Sequence, residues 1–304
     1  MLYELDRNDV EHYLSDFQAA QVVRANGIYS NVFQDRMLMI HTLAGYCTVP
    51  RIHALRGLDA GEVSLSGDWQ AHHADGSGAA LDVRIQPLTA GARGKTQVVR
   101  VENGRFEGFG KSGDMQLLSV IVRDWSKAAR LSYLFTDALP QGSFMSGLYP
   151  RAQNRLSVVL TRDLDNWEPH LVSATLGIGS DRSGARADLA QGGLSAPVDL
   201  ASGQVGEAVR IDPEEGLTRM ASHPDTGAPI AGLTLPGWEK IRETMLRIMD
   251  ESSYMRVALI DFTLLEDGSL GLIGPGALDL SATQVHQPLL GDPIFAETMR
   301  KLTL

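Results

Sequence analysis

Two apolar runs joined by a tight turn, between Val257 and Gly276, constrain the fold of this chain more than any other feature. The turn reads Glu-Asp-Gly-Ser (266–269), and Asp-Gly between apolar runs is a strong short-range indication of a β-hairpin. The first run contains one carboxylate, Asp261, and a buried carboxylate requires a partner or loses its charge. Such an acid often binds Mg²⁺ with oxygen ligands from the next strand. Here that strand ends in Ile-Gly-Pro-Gly (273–276), which carries no side-chain oxygen.

The size and charge of the chain limit its partners. A length of 304 residues is enough for one large domain or for two to three subdomains. The net charge of −10, from 27 basic and 37 acidic residues, disfavours a nucleic-acid or anionic-membrane surface. A local basic groove for a phosphate ligand is still allowed. We therefore expect no nucleic-acid partner.

The cellular location is predicted from the single cysteine and the hydropathy. Cys47 has no second cysteine to pair with, which excludes an internal disulfide and is compatible with a reducing cytosol. A buried structural thiol is favoured over a catalytic one. No apolar run reaches the roughly 18 to 20 residues of a membrane span, and the acidic N-terminus lacks the features of a signal peptide. The expectation is a soluble, cytoplasmic protein.

Hydrophobic periodicity predicts an α+β or mixed α/β chain. Helices are predicted over residues 8–26, 31–44, 114–135, 236–252 and 293–302. Besides the hairpin, strands or extended segments are predicted over residues 47–58, 81–86, 98–101, 154–161, 167–179 and 194–200. Residues 59–80 are rich in Gly, Ser, Ala and Asp and are predicted to form a loop.

A glycine-rich loop at residues 89–95 lies between two predicted strands. Backbone N–H groups in such a loop can hold a phosphate, and Arg93 or Lys95 would add positive charge. A solvent-exposed hairpin explains the pattern equally well, and the P-loop motif is absent. Both interpretations stay open.

The segment from His223 to Trp238, which begins His-Pro-Asp-Thr-Gly, resembles the sugar-transfer-associated ATP-grasp family. In that family the motif precedes a helix and a hairpin whose strands carry Asp and Glu-x-Asn. Three upstream segments match in order: residues 84–95 resemble the Val-Lys-Pro strand with its lid loop, residues 154–161 the Asn-Thr-x-Arg strand, and residues 188–193 the Asp-Asn loop. The resemblance covers roughly residues 30–290.

The resemblance implies an ATP-grasp fold in which two α+β subdomains enclose a nucleotide-type cleft. The corresponding division is a helical N-terminal segment over residues 1–70, a small lid subdomain over 71–140 and a core subdomain over 141–304. The implied cofactors are ATP and Mg²⁺. The implied reaction activates a carboxylate as an acyl phosphate and captures it with an amine, in polysaccharide or small-molecule biosynthesis.

The resemblance also implies a set of site residues. Those expected to contact the nucleotide are Gln86, Arg93, Lys95, Arg155, Gly192 and Gly193. The expected metal ligand is Asp261, with Asp279 as a candidate substitute for the missing oxygens. His223 and Asp225 are candidate catalytic residues, although His-Pro-Asp-Thr-Gly can also form an Asx-type turn without chemistry.

Several charged positions of the family are replaced in this chain. Gln86 stands where the family has lysine, Ser157 and Gly177 where it has arginine, Leu189 where it has asparagine, and Gly274 and Gly276 where it has Glu and Asn. Loss of one such contact typically costs about 2.7–4 kcal/mol in the transition state. Three functions therefore remain open. The chain is an ATP-dependent carboxylate–amine ligase with an eroded site, or a non-catalytic descendant that binds a ligand or a partner protein. The third is an enzyme that reuses the cleft without ATP and draws on His223, Asp225 and Asp261.

Overall fold

The computed structural model describes residues 10–22, 24–89, 92, 94–184, 186–212, 216–276 and 280–303. The chain divides into two compact units. The larger unit comprises Met1–Phe33, Leu43–Thr48 and Pro140–Leu304, and the smaller unit comprises Gln34–Thr42 and Val49–Leu139. Residues 1–70, which the sequence analysis assigned to one N-terminal segment, are shared between the two units.

The described residues form eight α-helices. They are α1 (Asp16–Val22), α2 (Arg36–Leu43), α3 (Gly67–Ala74), α4 (Met115–Ala129), α5 (Ser143–Leu148), α6 (Trp238–Glu251), α7 (Leu280–Gln284) and α8 (Pro293–Thr303). Short 3₁₀ turns cover Val10–His12, Gly27–Phe33, Leu189–Gln191 and Leu289–Gly291. Among the described residues, no helix combines the length and the hydropathy needed to cross a membrane.

The smaller unit is built on an antiparallel sheet. Its strands are β1 (Ile52–Gly57), β2 (Gly61–Ser64), β3 (Leu81–Pro87), β4 (Gln97–Glu102), β5 (Arg105–Gly108), β6 (Lys111–Asp114) and β7 (Tyr133–Asp137). They lie in the order β2-β1-β7-β3-β4-β5-β6. One face of the sheet packs on α3 and α4 around Trp69, Val83, Ile85, Leu118 and Phe135.

Helix α4 shows how local sequence determines this packing. Its buried residues recur at helical spacing, which places one apolar stripe against the sheet. Asp114 caps the helix by accepting a hydrogen bond from Leu117 N at 2.8 Å. The helix ends at Arg130, which adopts a left-handed conformation with φ 55°. The predicted helix over residues 114–135 is therefore too long, and its last residues form β7.

The predicted loop over residues 59–80 is wrong, because this segment contains β2 and α3. Helix α3 is short and buries only Trp69 and His72 among its residues, so its apolar periodicity is weak. Contacts distant in sequence compensate, since Trp69 is fully buried and its Nε1 donates to Glu62 at 2.9 Å. Ser66 caps the helix by accepting from Trp69 N.

The predicted helix over residues 8–26 is interrupted. A 3₁₀ turn ends at His12, and α1 starts anew at Asp16. The Ser15 hydroxyl accepts a hydrogen bond from Gln18 N at 3.3 Å, so this side chain competes with a continuous helix and caps the new one.

The larger unit contains a second antiparallel sheet. Its strands are β8 (Arg155–Arg162), β9 (Pro169–Ile178), β10 (Leu194–Pro197), β11 (Ala208–Asp212), β12 (Gly216–Met220), β13 (Val257–Leu264) and β14 (Leu270–Pro275). Their order is β12-β11-β10-β9-β8-β13-β14. The central strands are buried along nearly their whole length, and Val159, Val172 and Val257 share a core with Phe295 and Met299 of α8.

The predicted hairpin is confirmed. Strand β13 pairs antiparallel with β14 across the Asp-Gly turn, and Ser269 N donates to Asp267 Oδ1 at 2.9 Å within that turn. Two antiparallel sheets with helices packed on them also confirm the α+β class.

Candidate functional site

Asp261 lies at the centre of the candidate site, on β13 of the larger unit. The strand register places it opposite Ser157 of β8 and Gly274 of β14. Asp261 is 9% exposed, and the Ser157 hydroxyl donates to its Oδ1 at 2.6 Å. The carboxylate predicted to bind a metal is thus already hydrogen-bonded to Ser157, the residue that the sequence analysis matched to a family arginine.

The two glycines at the end of β14 have backbones that suit glycine. Gly274 has φ 150°, a conformation that other residues rarely adopt. A Cβ atom on Gly276 would lie 3.0 Å from both Ile260 N and Leu259 C. A side chain at either position would therefore strain the local backbone or collide with its neighbours.

Arg155 brings a positive charge next to Asp261. Its Nε donates to Ser157 Oγ at 3.2 Å and lies 3.9 Å from Asp261 Oδ2. Its Nη1 donates to Asp188 Oδ1 at 2.5 Å. One guanidinium therefore faces two carboxylates, and Arg186 adds a second cation 3.8 Å from Asp188.

Gly177 makes room for this arginine. The register pairs Gly177 of β9 directly with Arg155 of β8. A Cβ atom on residue 177 would lie 3.0 Å from Arg155 Cγ and 2.8 Å from Ala187 O. Gly177 thus provides the space through which Arg155 extends.

The loop from Asp188 to Gly193 uses its glycines for backbone geometry. Gly192 is left-handed with φ 92°, and Gly193 N donates to Asp188 O at 3.0 Å. Ser180 Oγ donates to Gly192 O at 2.6 Å, which ties the loop to the end of β9. The loop holds Asp188 within reach of Arg155, and the predicted nucleotide contact of its glycines stays a prediction.

His223 and Asp225 lie in a tight turn that holds neighbouring loops together. His223 is buried, its Nε2 donates to Gly179 O at 2.7 Å, and its Nδ1 accepts from Asp225 N at 3.2 Å. The Asp225 carboxylate accepts from Asp181 N at 2.8 Å. Both side chains have a structural role here, and their catalytic role stays a prediction.

The side chain of Asn154, the residue before β8, makes three hydrogen bonds. Its Nδ2 donates to Met145 O and Tyr149 O at 2.6 and 2.8 Å, and its Oδ1 accepts from Gly179 N at 2.9 Å. These bonds connect the C-terminal part of α5 to the residue that follows β9, next to Arg155, the first residue of β8.

The predicted nucleotide contacts of the smaller unit lie on or next to its sheet. Gln86 is 3% exposed on β3, opposite Leu134. Lys95 N donates to the Tyr133 hydroxyl at 3.1 Å, and Lys95 Nζ lies 5.3 Å from the centre of the Trp125 ring. Arg93, like Asp279 of the larger unit, lies outside the described residues.

Sequence reasoning missed a second arginine of this region. Arg84 precedes Gln86 by two residues on β3 and so shares its face of the sheet. The available signal was this spacing, but the importance of Arg84 depends on its neighbours in space.

The described residues in contact with Asp261 do not fit a magnesium centre. Mg²⁺ prefers several oxygen ligands, whereas the described contacts of Asp261 include a hydroxyl and a guanidinium. Across the described ranges, no three His, Cys, Asp or Glu side chains are grouped so that they could hold a metal.

A family profile described as sugar-transfer associated ATP-grasp matches residues 126–284 of the chain. No curated protein sequence matches this chain. Among solved structures, the chain is similar to D-alanine–D-alanine ligase from Bacillus anthracis, with 10% identity, a TM-score of 0.45 and coverage of 90% of this chain and 70% of that one.

Two other solved structures resemble this chain with comparable sequence identity and TM-score. An L-amino acid ligase from Bacillus licheniformis has 11% identity and a TM-score of 0.41, covering 83% of this chain and 44% of that one. An N5-carboxyaminoimidazole ribonucleotide synthetase in complex with ADP has 11% identity and a TM-score of 0.42, covering 86% and 52%. The chain thus spans about half the length of these two proteins.

Proposed function

From the premise that this chain belongs to the sugar-transfer-associated ATP-grasp family, we propose that it is a non-ligating member. It uses the fold to bind a ligand but does not carry out the magnesium-dependent activation of a carboxylate. The family membership expected from the His-Pro-Asp-Thr-Gly motif and the hairpin is confirmed by the match over residues 126–284. The cytoplasm, where nucleotides are available, is the proposed location.

The contact between Asp261 and Arg155 carries this proposal. A Mg²⁺ ion at Asp261 would stand close to a guanidinium 3.9 Å from the same carboxylate, and two cations at that range repel each other. Arg155 cannot simply move away, because it also binds Asp188 and lies over Gly177.

The charges of this cluster support the same conclusion. Two carboxylates, Asp188 and Asp261, are matched by two guanidiniums, Arg155 and Arg186. A ligase site needs unbalanced carboxylates for the metal and unbalanced cations for the triphosphate. Internal neutralisation of these groups favours a structural role for them.

An active ligase is the second candidate, because Asp261 and one arginine remain side by side on the strands that carry the family's site. In that case the chain would use ATP and Mg²⁺ to join a small-molecule carboxylate to an amine, for instance in polysaccharide assembly. A non-ligating member could also bind a partner protein instead of a small ligand.

Release of ADP from ATP separates these candidates. The assay uses the purified chain with ATP, with and without Mg²⁺, in the presence of mixed carboxylates and amines. We expect no Mg²⁺-dependent ADP release, and we expect the Asp261→Asn variant to behave like the unmodified chain. ADP release that requires Mg²⁺ and disappears in Asp261→Asn would overturn the proposal in favour of the ligase.

Thermal shift provides a second readout. A ligand present at 100 times its Kd stabilises a protein by about 2.7 kcal/mol. If ATP stabilises this chain, we expect the shift to be the same in EDTA and in Mg²⁺. A shift that occurs only with Mg²⁺ would contradict the proposal.

A further inference from the structure

His53 of the smaller unit lies between a serine and an aspartate. Its Nδ1 is 2.9 Å from Ser66 Oγ, and its Nε2 is 2.7 Å from Asp137 Oδ1. His53 is fully buried on β1, Ser66 directly precedes α3, and Asp137 is the last residue of β7. The fold thus aligns a hydroxyl, an imidazole and a carboxylate from three separate elements.

The carboxylate of Asp137 determines which ring nitrogen of His53 carries the proton. A charged carboxylate only accepts hydrogen bonds, so the Nε2–H group of His53 donates to Asp137. In the neutral imidazole, Nδ1 then accepts a hydrogen bond from the Ser66 hydroxyl. A nucleophile, a base that accepts its proton and a carboxylate that orients the base are the parts of a serine hydrolase site, here with the two ring nitrogens exchanged.

Asp137 is charged at neutral pH. Burial acts to raise its pKa, but the hydrogen bond and charge of His53, together with the bond from Arg51 N at 3.1 Å, outweigh burial and lower the pKa. A charged carboxylate at this place stabilises the imidazolium that forms when His53 takes a proton from Ser66.

Ser66 is partly exposed, so a small molecule can reach its hydroxyl. Its Oγ also accepts from Trp69 N at 3.3 Å as the N-cap of α3. Capping the helix requires neither His53 nor Asp137, and a hydroxyl can donate one hydrogen bond while it accepts another. The cap therefore holds Ser66 in place without using the proton that faces His53.

The start of α3 supplies donors for a negative oxygen. The first N–H groups of a helix have no carbonyl partner within the helix, and those of Gly67 and Asp68 directly follow Ser66. Donors next to a nucleophile stabilise the oxyanion that forms when it attacks a carbonyl group. The Asp68 carboxylate is itself paired with Arg51 Nη1 at 3.2 Å, which offsets its negative charge.

We propose that Ser66 is the nucleophile of an esterase-type site in the smaller unit, with His53 as its general base and Asp137 as a positioning residue. The complete burial of His53 and the partial exposure of Ser66 restrict the substrate to a small acyl ester. This inference is independent of Asp261 and of the proposed non-ligating role.

The reaction uses water as its second substrate. Ser66 Oγ bonds to the carbonyl carbon of the ester, and its proton passes to His53 Nδ1. The bond from that carbon to the alcohol oxygen then breaks, and Nδ1 gives the proton to the departing alcohol. Water attacks the acylated Ser66 in the same way, with its proton taken by Nδ1 and returned to Ser66 Oγ, which releases the carboxylic acid.

A fluorophosphonate probe tests the nucleophile directly, because it forms a phosphorus–oxygen bond with an activated serine and loses fluoride. We expect one adduct per chain, and peptide mass spectrometry should locate it at Ser66. An adduct at another serine would overturn the proposal. So would the absence of an adduct under conditions that fully label a serine esterase used as the positive control.

Substitution of Ser66 separates catalysis from helix capping. Ser66→Asn removes the nucleophile but keeps a good N-cap side chain, so the fold should persist while labelling and p-nitrophenyl acetate hydrolysis are lost. The matched control is Ser64→Ala on β2, which should react like the unmodified chain. Hydrolysis that persists in Ser66→Asn, or disappears in Ser64→Ala, would overturn the assignment.

Asp137→Asn tests the positioning role. Its amide group can donate to Nε2 of His53, which favours the other tautomer and turns Nδ1 from an acceptor into a donor. We expect kcat for p-nitrophenyl acetate to fall roughly 10²- to 10⁴-fold with little change in KM. An unchanged kcat, or a loss of activity matched by a loss of folded protein in circular dichroism, would overturn this role.

Discussion

The side chain of Arg155 passes directly over Gly177 on the neighbouring strand. A Cβ atom on residue 177 would lie 3.0 Å from Arg155 Cγ and 3.1 Å from Arg155 Nε. By this path Arg155 reaches Ser157 and Asp188. The absence of a side chain at Gly177 and the position of Arg155 are therefore coupled features of one cluster.

The first prediction follows from this contact. Gly177→Ala should destabilise the chain by about 1–3 kcal/mol, because the new methyl group would overlap Arg155 and the Ala187 carbonyl. Urea unfolding at neutral pH measures the change in the free energy of unfolding.

Gly147 provides the control for this substitution. It lies in α5, and no described atom beyond its chain neighbours and its own helix backbone is within 4 Å of the position its Cβ would take. Gly147→Ala should be neutral or stabilise the chain by up to about 1 kcal/mol. If Gly177→Ala were equally harmless, the close packing of Arg155 on Gly177 would be refuted.

The second prediction concerns the charge on Asp261. Asp261→Asn keeps the shape of the side chain but removes the charge that faces Arg155, and it weakens the acceptor of the Ser157 hydrogen bond. We expect a loss of about 1–3 kcal/mol in the free energy of unfolding, measured in urea.

The control for Asp261 is Asp82, which is exposed and pairs with Arg100. Asp82→Asn should change stability by less than about 1 kcal/mol, because solvent screens exposed ion pairs. A gain in stability from Asp261→Asn would instead indicate that its carboxylate is held for binding rather than for structure.

The third prediction is a pH dependence caused by His286. Its Nε2 lies 3.0 Å from Ser195 Oγ, which itself donates to Ala282 O, so Nε2 carries the proton. Nδ1 is buried and has no hydrogen-bond partner among the described residues. Burial and the charge of Arg219 lower the pKa of His286 to about 4.

Because the folded state disfavours protonation, the unfolded chain binds more protons between pH 6.5 and 4. His286 therefore contributes its full stability above about pH 6.5, and this contribution falls by up to about 3 kcal/mol as the pH drops towards 4. Urea unfolding at several pH values should show a smaller loss over this range in His286→Gln than in the unmodified chain. Equal slopes would show that His286 does not titrate in this way.

The sequence predicted those features whose causes are local. The Asp-Gly turn and its apolar flanks specify the β13–β14 hairpin without help from distant residues. Helix α3 could not be predicted because its stability depends on the burial of Trp69 and its bond to Glu62.

The candidate site was predicted in outline only, for the same reason. Asp261 was identified because a lone acid among aliphatic residues is conspicuous in sequence. Its partnership with Arg155 depends on strand register, which brings together residues that are far apart in the sequence. Single-sequence patterns carry no information about such pairings.

The fourth prediction is low reactivity of Cys47. Burial raises the pKa of its thiol to about 12, and Sγ lies 3.7 Å from Leu43 O as a hydrogen-bond donor. At pH 8 only about one thiol in 10⁴ is then ionised, and the thiolate is the reactive form. Cys47 nevertheless lines a cavity of about 440 Å³, so small reagents can approach it.

A disulfide reagent should therefore modify the folded chain at least about 100-fold more slowly than the chain unfolded in urea. Cys47 is the single cysteine, so the absorbance change reports on this thiol alone. In the folded chain the rate should rise about tenfold per pH unit up to pH 10, since the thiolate fraction does so below the pKa. A rate that levels off near pH 9 would show an ordinary thiol and would exclude the buried structural role predicted from the sequence.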